Sequence, residues 1–393
     1  IPATAEQRDL RYGLRASYSE LLRDWLTLSV GVDLAFAYSD LMRQGTLTRP
    51  AREGDRAVFG QHPGKEVAAD SYSTFLADLA SYLSLVVRIG RLRIEPGLRI
   101  SALLIDVSRL LPRVGAAPPI GARQNLLQAE PRLLLRYQPV QRLLLFAAAG
   151  LYHQPPDPAD LSAVFGNPTL GASRAVSVST GATLSLTTLL EAELSGYYRA
   201  LDRLVMRSTL LTPPLARALT QEGSGHSYGA QILIRLLPWR DLSAMLSYGI
   251  GRALRRYSPS LPLRLADFDQ THTVQASARY VLWGFGLSVR FRFTTGTPRT
   301  EVTGSYFDAS SDVYQPIFGP INAIRLPPFV QLDAQLDRTF SLGKGVSLSL
   351  SVDVQNVTNR KNAEELAYRF DFTQRDYITG FPTLAVLGAR LSF

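Results

Sequence analysis

The chain of 393 residues has no cysteine, which excludes a disulfide framework and any thiolate metal site. Lysine is nearly absent: Lys65, Lys344 and Lys361 are the only ones, so the net charge of +9 rests on arginine. Charged residues make up 19% of the chain, below the roughly 25% usual in soluble proteins. No segment offers the ~18 uninterrupted apolar residues of a membrane helix. No basic run and no recognition helix gathers the arginines. Their dispersal reads as solvated faces and a basic lumen, not as a nucleic-acid interface. No signal peptide precedes Ile1, so the chain reads as processed or trimmed at that end.

What is present is strict alternation. In 346–355, Val346, Leu348, Leu350, Val352 and Val354 interleave with Ser347, Ser349, Ser351, Asp353 and Gln355. Similar period-2 patterns recur in 228–236, 242–250, 273–280, 287–294 and 329–337. The last ten residues put Ala385, Leu387, Ala389, Leu391 and Phe393 on one face, opposite Val386, Gly388, Arg390 and Ser392. Such strands can lie between hydrocarbon and a wet lumen. The pattern predicts strands near 11–19, 25–38, 72–86, 90–105, 127–137, 142–152, 174–186, 189–202, 225–237, 240–254, 271–282, 285–296, 329–340, 346–356 and 383–393. The apolar runs at Leu133–Leu135 and Leu143–Ala149 alternate poorly, and periodicity alone leaves a helix open there.

Short and long connections take turns along the chain. The short ones carry turn chemistry at Gln138-Pro139, Pro238-Trp239, Trp283-Gly284 and Gly343-Lys344-Gly345. The long ones, 39–71, 106–126, 153–173, 203–224, 255–270, 297–328 and 357–382, hold most of the Pro, Gly and Asp. Tight turns on one rim and long loops on the other are the pattern of an outer-membrane barrel. Trp25, Trp239, Trp283, Tyr248 and Tyr280 fall where an interfacial aromatic girdle would lie, or serve as ordinary core aromatics,.

Several short motifs, in order, resemble those of TonB-dependent outer-membrane receptors. They are Gln154-Pro155-Pro156, Asn167-Pro168-Thr169-Leu170, Gly225-His226-Ser227-Tyr228-Gly229-Ala230-Gln231, Phe268-Asp269-Gln270-Thr271-His272-Thr273, Gly296-Thr297-Pro298, Pro328-Phe329-Val330-Gln331-Leu332-Asp333 and Val354-Gln355-Asn356-Val357-Thr358-Asn359. Gln231 stands where the family has an acid, and before about residue 125 the likeness is of pattern only. The resemblance implies an all-β fold: a transmembrane antiparallel β-barrel with about 15–16 strands in this chain, within a larger barrel of about 22. It implies a single barrel domain over 1–393 without the family's plug, in the bacterial outer membrane. The first connection is short, which would place Ile1 in a surface loop and leave roughly seven earlier strands and the plug to another segment or chain. The terminal Phe393 resembles the signal read by the barrel-assembly machinery. Further implied partners are outer-membrane lipid, TonB and an unknown small-molecule substrate.

The residues show no catalytic constellation, cofactor motif or metal site, so the chain is not read as an enzyme. His62 and His153 are placed in loops. Gln231, Arg235, Arg279, Arg290, Arg292, Asp333, Asp337 and Asp353 are the lumen-facing candidates, the acids pairing with the arginines rather than serving catalysis. Glu364, Glu365, Asp371 and Asp376 could hold a hard cation or stand as solvated loop acids. The extracellular-loop candidates for ligand are Arg255, Arg256, Tyr257, Tyr306, Phe307, Tyr314, Tyr368, Phe370 and Tyr377, with Phe318 and Phe372 beside them. Aromatics suit sugars and flat chelates, and arginines suit carboxylates or phosphates. The resemblance implies import of a scarce nutrient (siderophore, vitamin, oligosaccharide or peptide) through the lumen. Two alternatives stay open: a plugless passive pore favouring anions, and a structural or adhesion barrel that binds a protein partner. A soluble all-β binding protein is a third.

Overall fold

A computed structural model describes residues 4–46, 52–56, 67–109, 121–210, 213–343 and 345–393. Ile1, His62, Lys65 and Lys344 lie outside the described residues. Fifteen long strands follow one another: β1 (Thr4–Arg23), β2 (Leu26–Thr46), β3 (Val67–Ile89), β4 (Leu92–Arg109), β5 (Ala122–Val140), β6 (Leu143–Gln154), β7 (Ser173–Ser185), β8 (Leu190–Arg207), β9 (Leu219–Trp239), β10 (Leu242–Arg256), β11 (His272–Leu282), β12 (Phe285–Thr294), β13 (Phe329–Gly343), β14 (Val346–Gln355) and β15 (Leu384–Ser392). Each pairs antiparallel with the next, and the short strand Arg264–Leu265 adds to β10, making one 16-stranded sheet. Every one of the fifteen segments expected from alternation forms a strand. Most run further than expected at the long-loop rim, where β1, β2 and β3 reach 20, 21 and 23 residues.

The ambiguous apolar runs are strands as well: Leu133 pairs with Ala149 and Leu135 with Ala147 in the β5–β6 ladder. No described helix is long and apolar enough to cross a membrane. The strands, at nine or more residues, are long enough when tilted. Among the described residues, β1 pairs only with β2 and β15 only with β14, and both outer strands are exposed along their whole length. The sheet is therefore a wall with two bare edges.

The two faces differ as the period-2 pattern requires. On β11–β15 one face carries Tyr280, Leu287, Leu336, Leu350 and Leu387, all exposed in the isolated chain. Burying such a face in hydrocarbon removes the cost of exposing it to water. The opposite face carries Ser, Gln, Asp and Arg in register. Tyr248 sits in the body of β10 rather than at a turn, with its hydroxyl 2.9 Å from His272 Nδ1. The long loops also hold more structure than the sequence suggested. Val302–Asp308 pairs with Val313–Phe318, and Ala363–Tyr368 with Arg375–Thr379, as hairpins standing above the rim.

Candidate functional site

The polar face of β9–β14 is a register-built charge ladder. One row runs Arg235, Met245, Ser277, Arg290, Asp333 across β9 to β13. The next runs Arg279, Ser288, Gln335, Asp353 across β11 to β14. Arg279 donates to both Asp337 carboxylate oxygens at 2.6 and 2.8 Å. Arg292 lies 3.8 Å from Asp333 and over the Phe329 ring. Arg235 reaches Glu191 and Glu193 on β8 at 3.4 and 3.6 Å. Gln231 donates to Ser247 across the ladder at 3.0 Å. Arg290 and Asp353 have no ion-pair partner among the described residues. Arg235, Arg279, Arg290, Arg292, Asp333 and Asp353 all line one cavity of about 520 Å³. The eight candidates thus share one face, because a two-residue period puts alternate side chains on the same side and antiparallel register aligns them.

On β2–β4 the same face changes character towards the long-loop rim. Lower down it carries Arg99 between Asp33 and Asp78, each at 2.8 Å. Higher up it is apolar, with Leu41, Tyr72, Leu76, Leu103, Ile105 and Val107 buried. The loop between β6 and β7 covers this patch. Its one-turn 3-10 helix, Pro158–Leu161, starts at Asp157, whose carboxylate accepts from the Ala159 amide. Leu161 and Leu170 then insert into the apolar patch. Tyr72 donates from its hydroxyl to the carbonyls of Pro158 and Ala159, and Ser162 donates to the buried Asp70 at 2.6 Å. The far side of the loop is held by Asn167 on the Leu219 carbonyl and by reciprocal Gly171–Gln221 hydrogen bonds. His153, expected in a loop, is instead the penultimate residue of β6, nearly buried with Nδ1 3.4 Å from Glu130. The strand runs on to Gln154, past the 142–152 that the alternation indicated, and the Glu130 carboxylate accepts from the His153 amide.

A second polar layer joins loops far apart in the chain. Arg52–Arg56, from the β2–β3 connection, crosses to segments that lie between four and eight strands further along the wall. Arg52 pairs with Asp160 and donates to the Val205 carbonyl, Asp55 pairs with Arg207, and Glu53 lies 3.4 Å from Arg255. Gly54, at φ +86°, packs its bare Cα against the Tyr257 ring and donates its amide to Asp267. Asp267 also accepts from Asn322 at 2.7 Å. Burial pushes the Tyr257 hydroxyl well above the ordinary phenol range, with the Asp267 and Glu53 charges adding to it.

These partners sort the loop candidates. Arg255, Tyr257 and Tyr368 are spent on structure; the Tyr368 hydroxyl accepts from the Val302 amide. Phe372 is buried. Tyr306, Phe307, Tyr314, Phe370 and Tyr377 stay exposed, and Phe307, Tyr314 and Phe370 meet edge-on with centroids 5.2 and 5.9 Å apart. Arg256 and Phe318 remain half-buried at the loop bases. Of the loop acids, Glu365 pairs with Arg299 at 2.7 Å, and Asp371 caps Thr373, which holds its carboxyl below the usual carboxylate range. Glu364 and Asp376 are not drawn together with them, and no metal-ligating group occurs among the described residues. Sequence reasoning missed Asp267, Asn322 and the Arg52–Arg56 segment. The only local signals were Arg-Glu-Gly-Asp, a turn sequence, and an asparagine that adopts φ +58°,.

A family model described as TonB dependent receptor-like, beta-barrel matches residues 4–357. Among solved structures, the ferric citrate transporter FecA in its unliganded form is 17% identical, matched over 99% of this chain and 55% of its own, with a TM-score of 0.69. The ferric yersiniabactin uptake receptor FyuA from Yersinia pestis is 14% identical over 100% of this chain and 55% of its own, with a TM-score of 0.64. The copper transporter OprC is 12% identical over 100% of this chain and 57% of its own, with a TM-score of 0.68. The likeness to these three is one of fold, and the chain spans little more than half the length of each. No curated protein gives a significant match.

Proposed function

The chain belongs to the TonB dependent receptor-like β-barrel family, and from that premise we propose that it is the wall of an outer-membrane importer. It takes up a scarce nutrient (a siderophore or other metal chelate, a vitamin, an oligosaccharide or a peptide) captured by the long extracellular loops and drawn through the lumen with energy from TonB. Residues 1–393 form a single barrel domain in this reading. The bare ladder edges of β1 and β15 support a partner segment. Unpaired strand edges are not viable in lipid, so further strands from outside this chain complete the wall and bring the plug. Phe393 at the short-turn rim serves as the assembly signal, with the barrel-assembly machinery and outer-membrane lipid as partners. The relatives of this fold are transport receptors, and the chain has no enzymatic role in this reading.

The observation that carries this reading is the asymmetry of the rims. One is a row of tight turns. The other is an interlocked layer in which the β6–β7 loop packs on the apolar upper part of the inner face of β2–β4 and the Arg52–Arg56 segment spans to Asp267. Such a layer suits capture and gating better than free diffusion. The exposed rings of Phe307, Tyr314 and Phe370, and Arg290, which has no ion-pair partner among the described residues, are the residues expected to meet ligand. The test is uptake of labelled ferric and copper chelates by cells expressing the full-length protein, with and without TonB. TonB-dependent accumulation is expected, together with no steady conductance in planar bilayers. Open, anion-selective conductance independent of TonB would sink the reading in favour of a passive pore.

A further inference from the structure

The apolar face of β11–β15 carries His272 at its long-loop end, bonded to Tyr248, and one arginine at the other. Rows of Tyr280, Leu282, Leu287, Leu336, Leu350, Leu391 and their neighbours are broken by a single charged side chain, Arg338 on β13. Its place follows from register: Arg338 pairs with Phe285 on one side and Leu350 on the other, both on the apolar face. A lone guanidinium in hydrocarbon is costly and is tolerated only near an interface where it finds a partner. The height satisfies the first condition. Phe285 is the first residue of β12, directly after the tight turn at Trp283-Gly284, and Trp283 is 85% exposed. Arg338 therefore sits level with the short-turn rim, among the aromatics of an interfacial girdle.

The guanidinium is also held. Its central carbon lies 4.4 Å from the centroid of Phe285 and 5.0 Å from that of Phe340. Stacking on two rings fixes the plane while leaving N–H groups at its edge free to donate. No carboxylate or carbonyl receives them among the described residues. The same rim carries a second arginine–aromatic pair, Arg240 over Trp239 at 5.2 Å, so the arrangement belongs to the rim and not to one side chain. An apolar wall below, rings on either side and an unsatisfied planar cation match one occupant in charge and shape. That occupant is a phospholipid lying with its tails on β11–β15 and its phosphodiester at Arg338.

We propose that Arg338, clamped between Phe285 and Phe340, is a seat for the phosphate of a phospholipid in the leaflet at the short-turn rim. The seat fixes the height of this part of the wall in the membrane. The proposal rests on the membrane-barrel reading but not on import, so transport can fail while the seat stands.

The test is native mass spectrometry of the full-length protein with added dioleoyl phosphatidylglycerol, beside Arg338→Gln, Arg338→Lys and Phe340→Leu. Folding is checked by the shift in gel mobility on heating. The expected result is a tightest lipid-binding event weakened about fivefold by Arg338→Gln, and about two- to threefold by Arg338→Lys or Phe340→Leu. Dioleoylglycerol, which has the tails without the phosphate, is expected to bind all four proteins alike. If Arg338→Gln does not fold, the other two variants carry the comparison. Equal phosphatidylglycerol affinity in wild type and the folded variants overturns the proposal. So does displacement of the lipid by millimolar inorganic phosphate, which would mark a simple anion site.

Discussion

The amide of Gly54 donates a 2.8 Å hydrogen bond to the carboxylate of Asp267, 213 positions further along the chain. Between them lie eight long strands of the wall, β3 to β10, so the bond ties one side of the mouth to the other. Asp267 is a hub for this tie. It also accepts from Asn322 at 2.7 Å and from the Tyr257 hydroxyl at 3.4 Å.

Removing that hub is expected to release the Arg52–Arg56 segment without melting the wall. Asp267→Ala leaves three donors without their acceptor, a local cost of about 1–3 kcal/mol for each group that stays buried. Much of this is recovered if the segment lifts into water. Limited trypsin digestion should cut after Arg52 or Arg56 several times faster than in wild type. Heat-induced unfolding of the barrel should shift little, because the ladder hydrogen bonds are untouched. Unchanged cleavage would mean that the Arg52–Asp160 and Arg207–Asp55 pairs hold the segment alone.

The same segment should be sensitive to pH through Glu53. Burial holds the Glu53 carboxyl above its ordinary value; Arg255 opposes this, and Asp267 adds to it. Glu53 therefore binds its proton more tightly when the segment is docked than when it is free. Docking is strongest at and below the ordinary glutamate range and weakens as pH climbs through the raised value. Protection of the Gly54 amide from hydrogen exchange, corrected for intrinsic rate, should fall over that window in wild type. In Glu53→Gln it should stay flat. A variant as pH-dependent as wild type would assign the slope to another group.

The strands were legible because half of each one faces hydrocarbon and half faces polar groups, and a period of two records that contrast residue by residue. The run Val346 to Gln355 shows it at its clearest. Leu133–Leu135 and Leu143–Ala149 do not, because small and apolar residues occupy both faces there, and only the ladder partners settle the matter. Register was legible too: once Arg290 and Asp333 were put on the same face, antiparallel pairing set them side by side. The loop layer was not legible. Asp267, Asn322 and Gly54 meet through tertiary contacts between segments with no shared period, and nothing in the local sequence records who the partner is. The same holds for Tyr257 and Tyr368, which look like ligand aromatics in sequence but are half-buried, with hydroxyls engaged by Asp267 and the Val302 amide.

The Arg279–Asp337 pair, for all its bidentate geometry, is expected to add little to stability. Both side chains keep contact with solvent, at 43% and 24% exposure, and pairs of this kind are worth at most about 1 kcal/mol. A double-mutant cycle of Arg279→Ala and Asp337→Ala, read by denaturant unfolding, should give a coupling energy within that bound. It should also shrink as salt is raised. A coupling of several kcal/mol would show that the face is dry when the barrel is complete.

Gly181 offers the opposite case, a residue whose importance lies in having no side chain. It sits in β7 between Phe146 on β6 and Ser195 on β8. A Cβ built there would lie 2.4 Å from Phe146 Cζ and 2.6 Å from the Leu194 carbonyl oxygen. The ring can rotate away, but the carbonyl belongs to the ladder and cannot move without breaking pairing. Gly181→Ala should therefore destabilise the barrel by about 1–3 kcal/mol, in the manner of overpacking, despite alanine's lower conformational cost. Pairing Gly181→Ala with Phe146→Leu separates the two contacts. If the ring were the obstacle, the second change would restore the unfolding midpoint; with the carbonyl as the obstacle, the loss should persist in the double variant.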